Sequence, residues 1–278
     1  MAVILVVGAT RGLGASIVKQ YAEQGGNTVY GTTRSSEGPE DFPTDIIWLS
    51  GIDLMQPNVG ETLASLLDSS QPIDSLIITA GYFATEDLTV DKGPSWEQEQ
   101  RMYTTSSIAP VFIVHQLIHQ GFLKRDSKVV LVSSESGSIT LRHSKEGGGN
   151  YAHHASKAAL NMVGKLLSLD LREQGVIISI VHPGFMRTEL TKGVGFDKFW
   201  DEGGAVMPDK AATSLIEWID KLDMSKTGQY WAPRGPVLME ACLLAFLGDI
   251  GTAEVVLGQN QSTNRHQAQK ITKLKDFT

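Results

Sequence analysis

The 278-residue chain has one cysteine, Cys242, so an internal disulfide is excluded and a reducing compartment fits best. Basic residues are in deficit: 24 Lys and Arg against 31 Asp and Glu give a formal net charge of −7. That balance argues against a general nucleic-acid surface, which needs a basic face, and against docking on anionic lipid. Long apolar runs are missing too. The longest, "VLMEACLLAFL" at 237–247, contains Glu240 and is about half the length that spans a bilayer. The opening "MAVILVVGATRG" has neither a basic lead nor a small-residue cleavage site, and it reads as a strand rather than a signal peptide. No internal repeat and no Pro/Gly/Ser-rich linker divides the chain. We expect one cytoplasmic domain over 1–258 and a polar, frayed tail over 259–278. A chain this long buries enough surface to fold without a metal or disulfide, and no metal site is expected.

What is present is an alternation. Short β-branched runs at 3–7, 28–31, 46–49, 75–78, 128–132, 176–181 and 229–232 read as strands. Most are nearly continuous apolar runs, as in strands buried on both faces. Amphipathic stretches at 12–24, 59–68, 96–121, 152–173 and 209–221 read as helices. Strands alternating with helices predict an α/β fold, a parallel sheet of about seven strands covered by helices on both faces. A glycine- and aromatic-rich stretch at 184–206 reads as a lid or binding loop, because loops of that length are rarely idle.

The first strand runs into "VVGATRGLGAS", with glycines at Gly8, Gly12 and Gly14. Glycines there permit a tight turn and close backbone approach to a pyrophosphate, while the helix that follows presents free N–H groups and its positive dipole end. Arg11 lies inside this loop, and Arg34 follows the second strand in "GTTRSS". A carboxylate at that strand end would grip the 2′-hydroxyl of NAD, whereas arginine accommodates the 2′-phosphate of NADP. NADP(H) is therefore favoured over NAD(H).

These motifs, with "DL" at Asp53–Leu54, "AG" at Ala80–Gly81, "VSSESGSI", "ASKAAL" and "HPGFMRT", stand in the order and spacing of the short-chain dehydrogenase/reductases. Over about residues 3 to 235 the chain resembles the single-domain branch of that family, and within it fungal C-factor-like carbonyl reductases. The resemblance implies a Rossmann-type doubly wound sheet, a nicotinamide cofactor, and hydride transfer at a carbonyl or alcohol carbon. It implies that Gly8, Thr10, Arg11, Gly12, Leu13 and Gly14 bind the cofactor phosphates and ribose. Asp53 and Leu54 would flank the adenine, and Ala80 and Gly81 would line the nucleotide. Pro183, Gly184 and Thr188 would seat the nicotinamide. Ser134 would bond the substrate oxygen, and Lys157 would hold the ribose and lend its charge to the proton donor.

The chain departs from the family pattern at three positions. The relay asparagine falls on Ser106, and the asparagine before Ala80 is Thr79. The tyrosine four residues before the lysine is His153. His153 and Lys157 share a helix face, so a titratable group persists in the right direction. Lys157 should lower the histidine pKa and favour the neutral ring. Tyr151 sits about 200° around the helix from His153 and would face away, and His154 is about 100° off.

The leading expectation is an NADP(H)-dependent carbonyl reductase or alcohol dehydrogenase with His153 in the acid/base position. A dinucleotide-binding protein without turnover is the second reading, and a non-redox isomerase or dehydratase using His153 as base is the third. Phe185, Met186, Phe196, Phe199 and Trp200 in the lid suit an apolar or aromatic small molecule. Family members associate through their long helices, so a homodimer or homotetramer is expected by analogy.

Overall fold

The structure, a computed structural model, describes residues 2–91, 93–142 and 148–232. The apolar run at 237–247 and the tail at 259–278 lie outside the described residues. Strands β1 (Val3–Val7), β2 (Thr28–Thr32), β3 (Ile46–Leu49), β4 (Ser75–Ile78), β5 (Lys128–Val132), β6 (Ile177–Val181) and β7 (Gln229–Trp231) form one sheet in the order β3-β2-β1-β4-β5-β6-β7. Every pairing is parallel, as the apolar runs required.

Side chains on successive strand positions point to opposite faces, and this divides the core. Leu5 and Val7 join Leu76, Ile78 and Leu131 beneath α2 (Val59–Ser65), α4 (Ala109–His119) and α5 (Tyr151–Asp170). Ile4 and Val6 join Ile77 and Val130 beneath α1 (Gly12–Glu23) and α7 (Pro208–Asp220). The order reverses at β1, with β2 on one side and β4 on the other. Ligands of doubly wound sheets bind outside the strand ends at such a reversal.

The expected helix over 96–121 is broken. It consists of α3 (Trp96–Tyr103), a π-helical turn at Thr104–Ile108, and α4. Pro110 stands in the first turn of α4, where its missing N–H costs nothing at a new helix start. Upstream, Thr105 and Ser107 turn their hydroxyls back onto the carbonyls of Arg101 (2.7 Å) and Tyr103 (2.9 Å), a competition that bends helices. α2 is also shorter than expected. Its end tightens as Leu66 and Leu67 donate to carbonyls three residues back. The lid carries α6 (Glu189–Gly193) and a 3-10 turn at Asp197–Phe199, and a bridge from Met186 to Val206 closes its base.

Candidate active site

The ends of β1, β4, β5 and β6, with α5 and the lid, enclose a cavity of about 630 Å³. Every residue singled out for cofactor or catalysis lines it, from Gly8 in the first loop to Thr188 in the lid, with one exception. Ser106 is buried inside the π-helical turn, and Thr105 stands in the cavity wall instead. The widened turn changes which side chain faces the site, and a regular helix assumed across 96–121 hides that shift.

The glycine loop is built for close approach. Gly8 has φ +91°, and a Cβ there would lie 2.7 Å from the Ala80 Cα. A Cβ at Gly14 would lie 2.2 Å from the Gly8 carbonyl oxygen. Thr79 donates its hydroxyl to the carbonyls of Val7 and Gly8, both at 3.0 Å, tying the end of β4 to the loop. Thr79, which departs from the family's asparagine, is thus a strut of the cradle through its hydroxyl. The Gly8 N–H in turn donates to the Thr32 hydroxyl at 3.0 Å. No side chain caps α1 at Arg11, and no acidic residue occupies its first turn. Uncapped N–H groups at a positive helix end suit an anion, so these residues fit a dinucleotide pyrophosphate. Arg34, exposed at the end of β2, also borders an open groove of about 780 Å³ with Ser35, Ser36, Glu37 and Glu40. The two glutamates were not singled out in the sequence, because they lie beyond the strand end on an irregular segment.

At the other end α5 brings His153 and Lys157 to the cavity. It starts without a side-chain cap: Asn150 sits in the left-handed region (φ +51°). The missing acceptor comes from Glu86, whose carboxylate takes the Ala152 N–H at 2.8 Å. Lys157 is buried and donates to the Val132 carbonyl at 2.9 Å, and burial pushes its pKa down to about 8. One turn earlier, the half-buried His153 ring stacks on Phe83 with centroids 3.9 Å apart. Its pKa is pushed down to about 3, first by desolvation, then by the charge of Lys157 and by His154. The sequence pointed to Lys157 as the cause; burial is the larger one.

Ser134 lines the cavity. Its hydroxyl donates to Ser136 Oγ at 3.0 Å and accepts the Ser136 N–H at 3.1 Å. The turn behind it touches α5 at Gly137, where a Cβ would come within 2.6 Å of the Lys157 backbone carbon. Ser133 donates to Asn161 Oδ1 at 2.6 Å, a second tie between β5 and α5. Tyr151 is exposed and off the cavity wall. His154 Nδ1 lies 2.7 Å from the Asn150 carbonyl oxygen. Both therefore face away from the cavity centre that His153 borders. His182, not singled out beforehand, is buried in the wall with its Nε2 3.4 Å from a Glu135 carboxylate oxygen. Its place just before Pro183, at the end of a buried strand, was the available signal.

The lid closes this end. Thr188 and Thr191 form a reciprocal capping box on α6, and the Thr188 methyl would be 3.5 Å from a Cβ at Gly12. The lid thus reaches the glycine loop across the cavity mouth. Phe185, Met186, Phe196 and Phe199 line the interior. Trp200 does not: its indole N–H donates to Thr191 Oγ1 at 3.2 Å. An Arg187–Asp201 ion pair at 2.6 Å pins the base of the lid.

Fold and site together define a doubly wound α/β domain whose cavity opens at the strand-order reversal. The model of the short chain dehydrogenases matches residues 2–198, and the chain belongs to this family of oxidoreductases. A 1-hydroxy-2-glutathionyl-2-methyl-3-butene dehydrogenase of Rhodococcus sp. (strain AD45) is 28% identical over 239 residues, covering 86% of this chain and 99% of that protein. The NADPH-bound carbonyl reductase from chicken fatty liver superposes with a TM-score of 0.70 at 20% identity, over 84% of this chain and 93% of that one. A short-chain dehydrogenase/reductase of Burkholderia multivorans with bound NADP gives a TM-score of 0.66 at 25% identity, over 84% and 97%. Among the described residues no helix is long and apolar enough to cross a membrane.

Proposed function

We propose that this chain is an NADP(H)-dependent carbonyl reductase whose His153 replaces the usual tyrosine as hydrogen-bond donor to the substrate oxygen. The observation that carries the reading is the placement of Ser134, His153 and Lys157 on the same cavity as the glycine cradle. The nicotinamide, when bound, supplies the hydride.

The chain's own residues then manage the oxygen. As hydride reaches the carbonyl carbon, negative charge grows on oxygen, and preorganised donors lower the barrier. On substrate binding the Ser134 hydroxyl turns its one hydrogen from Ser136 Oγ to that oxygen. A pKa near 3 keeps His153 neutral at cellular pH, so it acts through a ring N–H. Neutral imidazole can polarise a carbonyl in this way. Lys157, with a pKa near 8, is still mostly protonated at pH 7; it lends its positive charge to the site and is the source of the proton that, with the hydride, completes the alcohol. A pKa near 3 also makes His153 a weak base, which argues against the isomerase or dehydratase reading.

Arg34 and the hydroxyls of Ser35 and Ser36 favour the 2′-phosphate of NADP(H) over the bare hydroxyl of NAD(H). The aromatic lid favours an apolar or aromatic substrate body. Exposed Ile108 and Phe112 on the π-turn and α4, with exposed Met162, Leu166 and Leu169 on α5, favour pairing of two copies through these helices.

Titrating NADPH fluorescence tests dinucleotide binding, and single-turnover oxidation of bound NADPH with a panel of carbonyl compounds tests the chemistry. Binding without oxidation, in both the wild type and His153→Tyr, would leave a dinucleotide-binding protein rather than a reductase.

A further inference from the structure

We infer that the substrate carries a carboxylate, which Arg101 binds on the stretch of cavity wall formed by Tyr82, Phe83 and His153. This deepens the reductase reading and rests on it for the position of the reacting carbonyl.

Arg101 sits in the last turn of α3, and its guanidinium carbon lies 4.1 Å from the centre of the Tyr82 ring. The next residue, Phe83, is the one stacked on His153. Arg101, Tyr82, Phe83 and His153 are thus neighbours along one stretch of the wall. Stacking on Tyr82 covers one face of the guanidinium, but its N–H donors lie in the plane of the group. Among the described residues none of them donates a hydrogen bond and no carboxylate pairs with the group.

Among the described residues none of the acidic residues of the wall, Asp53, Glu135 and Glu189, forms an ion pair with Arg101. Glu135 lies 3.4 Å from His182. Asp53 takes the Met55 N–H at 3.1 Å, beside the loop that faces the adenosine end. Glu189 stands in the first turn of α6; Glu99, on the same helix as Arg101 but off the cavity wall, interacts with Glu86. Stacking on Tyr82 offsets part of the desolvation of this half-buried arginine, but among the described residues its in-plane N–H donors have no acceptor, which is unfavourable. A planar carboxylate offers two parallel acceptors that match the guanidinium fork. The wall between Arg101 and His153 is aromatic, so the substrate class is an oxo acid with an aromatic or apolar spacer between carbonyl and carboxylate.

The test uses 4-carboxybenzaldehyde and benzaldehyde with the full chain and NADPH. The expected result is a KM for the acid about 10- to 100-fold below that for the neutral aldehyde, the range of a charge-assisted hydrogen bond. Arg101→Met should collapse that ratio towards one, and Arg101→Lys should restore part of it. Benzoate binding is measured in parallel by calorimetry, with and without NADP+, on wild type and Arg101→Met. If neither aldehyde is reduced, the reductase reading fails, and benzoate binding still decides the carboxylate site. Equal benzoate affinity in wild type and Arg101→Met, or equal KM for the two aldehydes, overturns the inference while leaving the reductase reading intact.

Discussion

Phe83 and His153 lie face to face, with ring centroids 3.9 Å apart and planes 20° from parallel. The stack fixes the imidazole at the cavity wall and keeps water from one of its faces, which is why desolvation leads among the causes of its lowered pKa. It also permits a clean substitution. His153→Phe keeps an aromatic ring against Phe83 and removes only the N–H donor. Losing one donor to a developing oxyanion costs about 10²–10³ in rate, so single-turnover NADPH oxidation should slow by that amount with NADPH affinity unchanged. His153→Tyr brings a longer donor to the same stack and should raise the rate above wild type. Equal rates for wild type and His153→Phe would show that the imidazole is only packing.

The pH profile separates the two titratable groups. His153 is already neutral above its depressed pKa of about 3, so carbonyl reduction should show no inflection near the ordinary histidine value of about 6.5. Lys157 loses its proton through about pH 8. The rate should therefore be flat from about pH 5 to 7 and fall above about pH 8, approaching tenfold per unit as the charge and proton disappear. A rise through pH 6.5 would instead assign a conventional histidine to the rate.

The strands were legible because a two-sided parallel sheet writes itself as runs such as "VILVV" and "IISIV", and the glycine loop because Gly8 and Gly14 have no room for a Cβ. Ser106 was misplaced because the π-helical turn leaves no mark in hydrophobic periodicity; the offset arises from hydroxyls bonding back to carbonyls. Phe83, Glu86 and Arg101 reach the site from an irregular segment and a short helix. Sequence spacing carries no information on contacts made across 66 positions, as between Glu86 and Ala152.

Glu86 holds the start of α5 twice over. Its side chain takes the Ala152 N–H, and its backbone carbonyl takes the Asn150 N–H at 3.2 Å. Its carboxyl is pushed above the ordinary value by desolvation, partly offset by the Ala152 N–H and reinforced by Glu99. A carboxyl with a raised folded-state pKa favours the fold at acid pH and loses that contribution as pH rises through the folded pKa. Glu86→Gln retains an acceptor but cannot ionise. Its Tm should exceed that of wild type at pH 7, and the difference should shrink towards pH 4. Glu86→Ala leaves the Ala152 N–H unsatisfied and should cost about 1–3 kcal/mol in denaturant unfolding.

Arg34 decides the cofactor phosphate in the proposed reading, and a charge reversal tests it at the residue that sets the preference. The side chain is exposed at the end of β2, so its attraction for a 2′-phosphate is screened and should weaken as salt rises. Arg34→Glu substitutes repulsion for that attraction and offers a carboxylate to the 2′-hydroxyl of NADH. The ratio of NADPH to NADH affinity, read by fluorescence titration, should fall by about 10-fold or more, the equivalent of about 1.4 kcal/mol. Glu37 and Glu40 border the same groove, and Glu37→Gln should move the ratio the other way by relieving repulsion on the phosphate. If Arg34→Glu leaves the ratio and its salt dependence unchanged, the 2′-phosphate does not sit against Arg34, and Arg11, at the N-cap of α1 in the glycine loop, becomes the residue to reverse next.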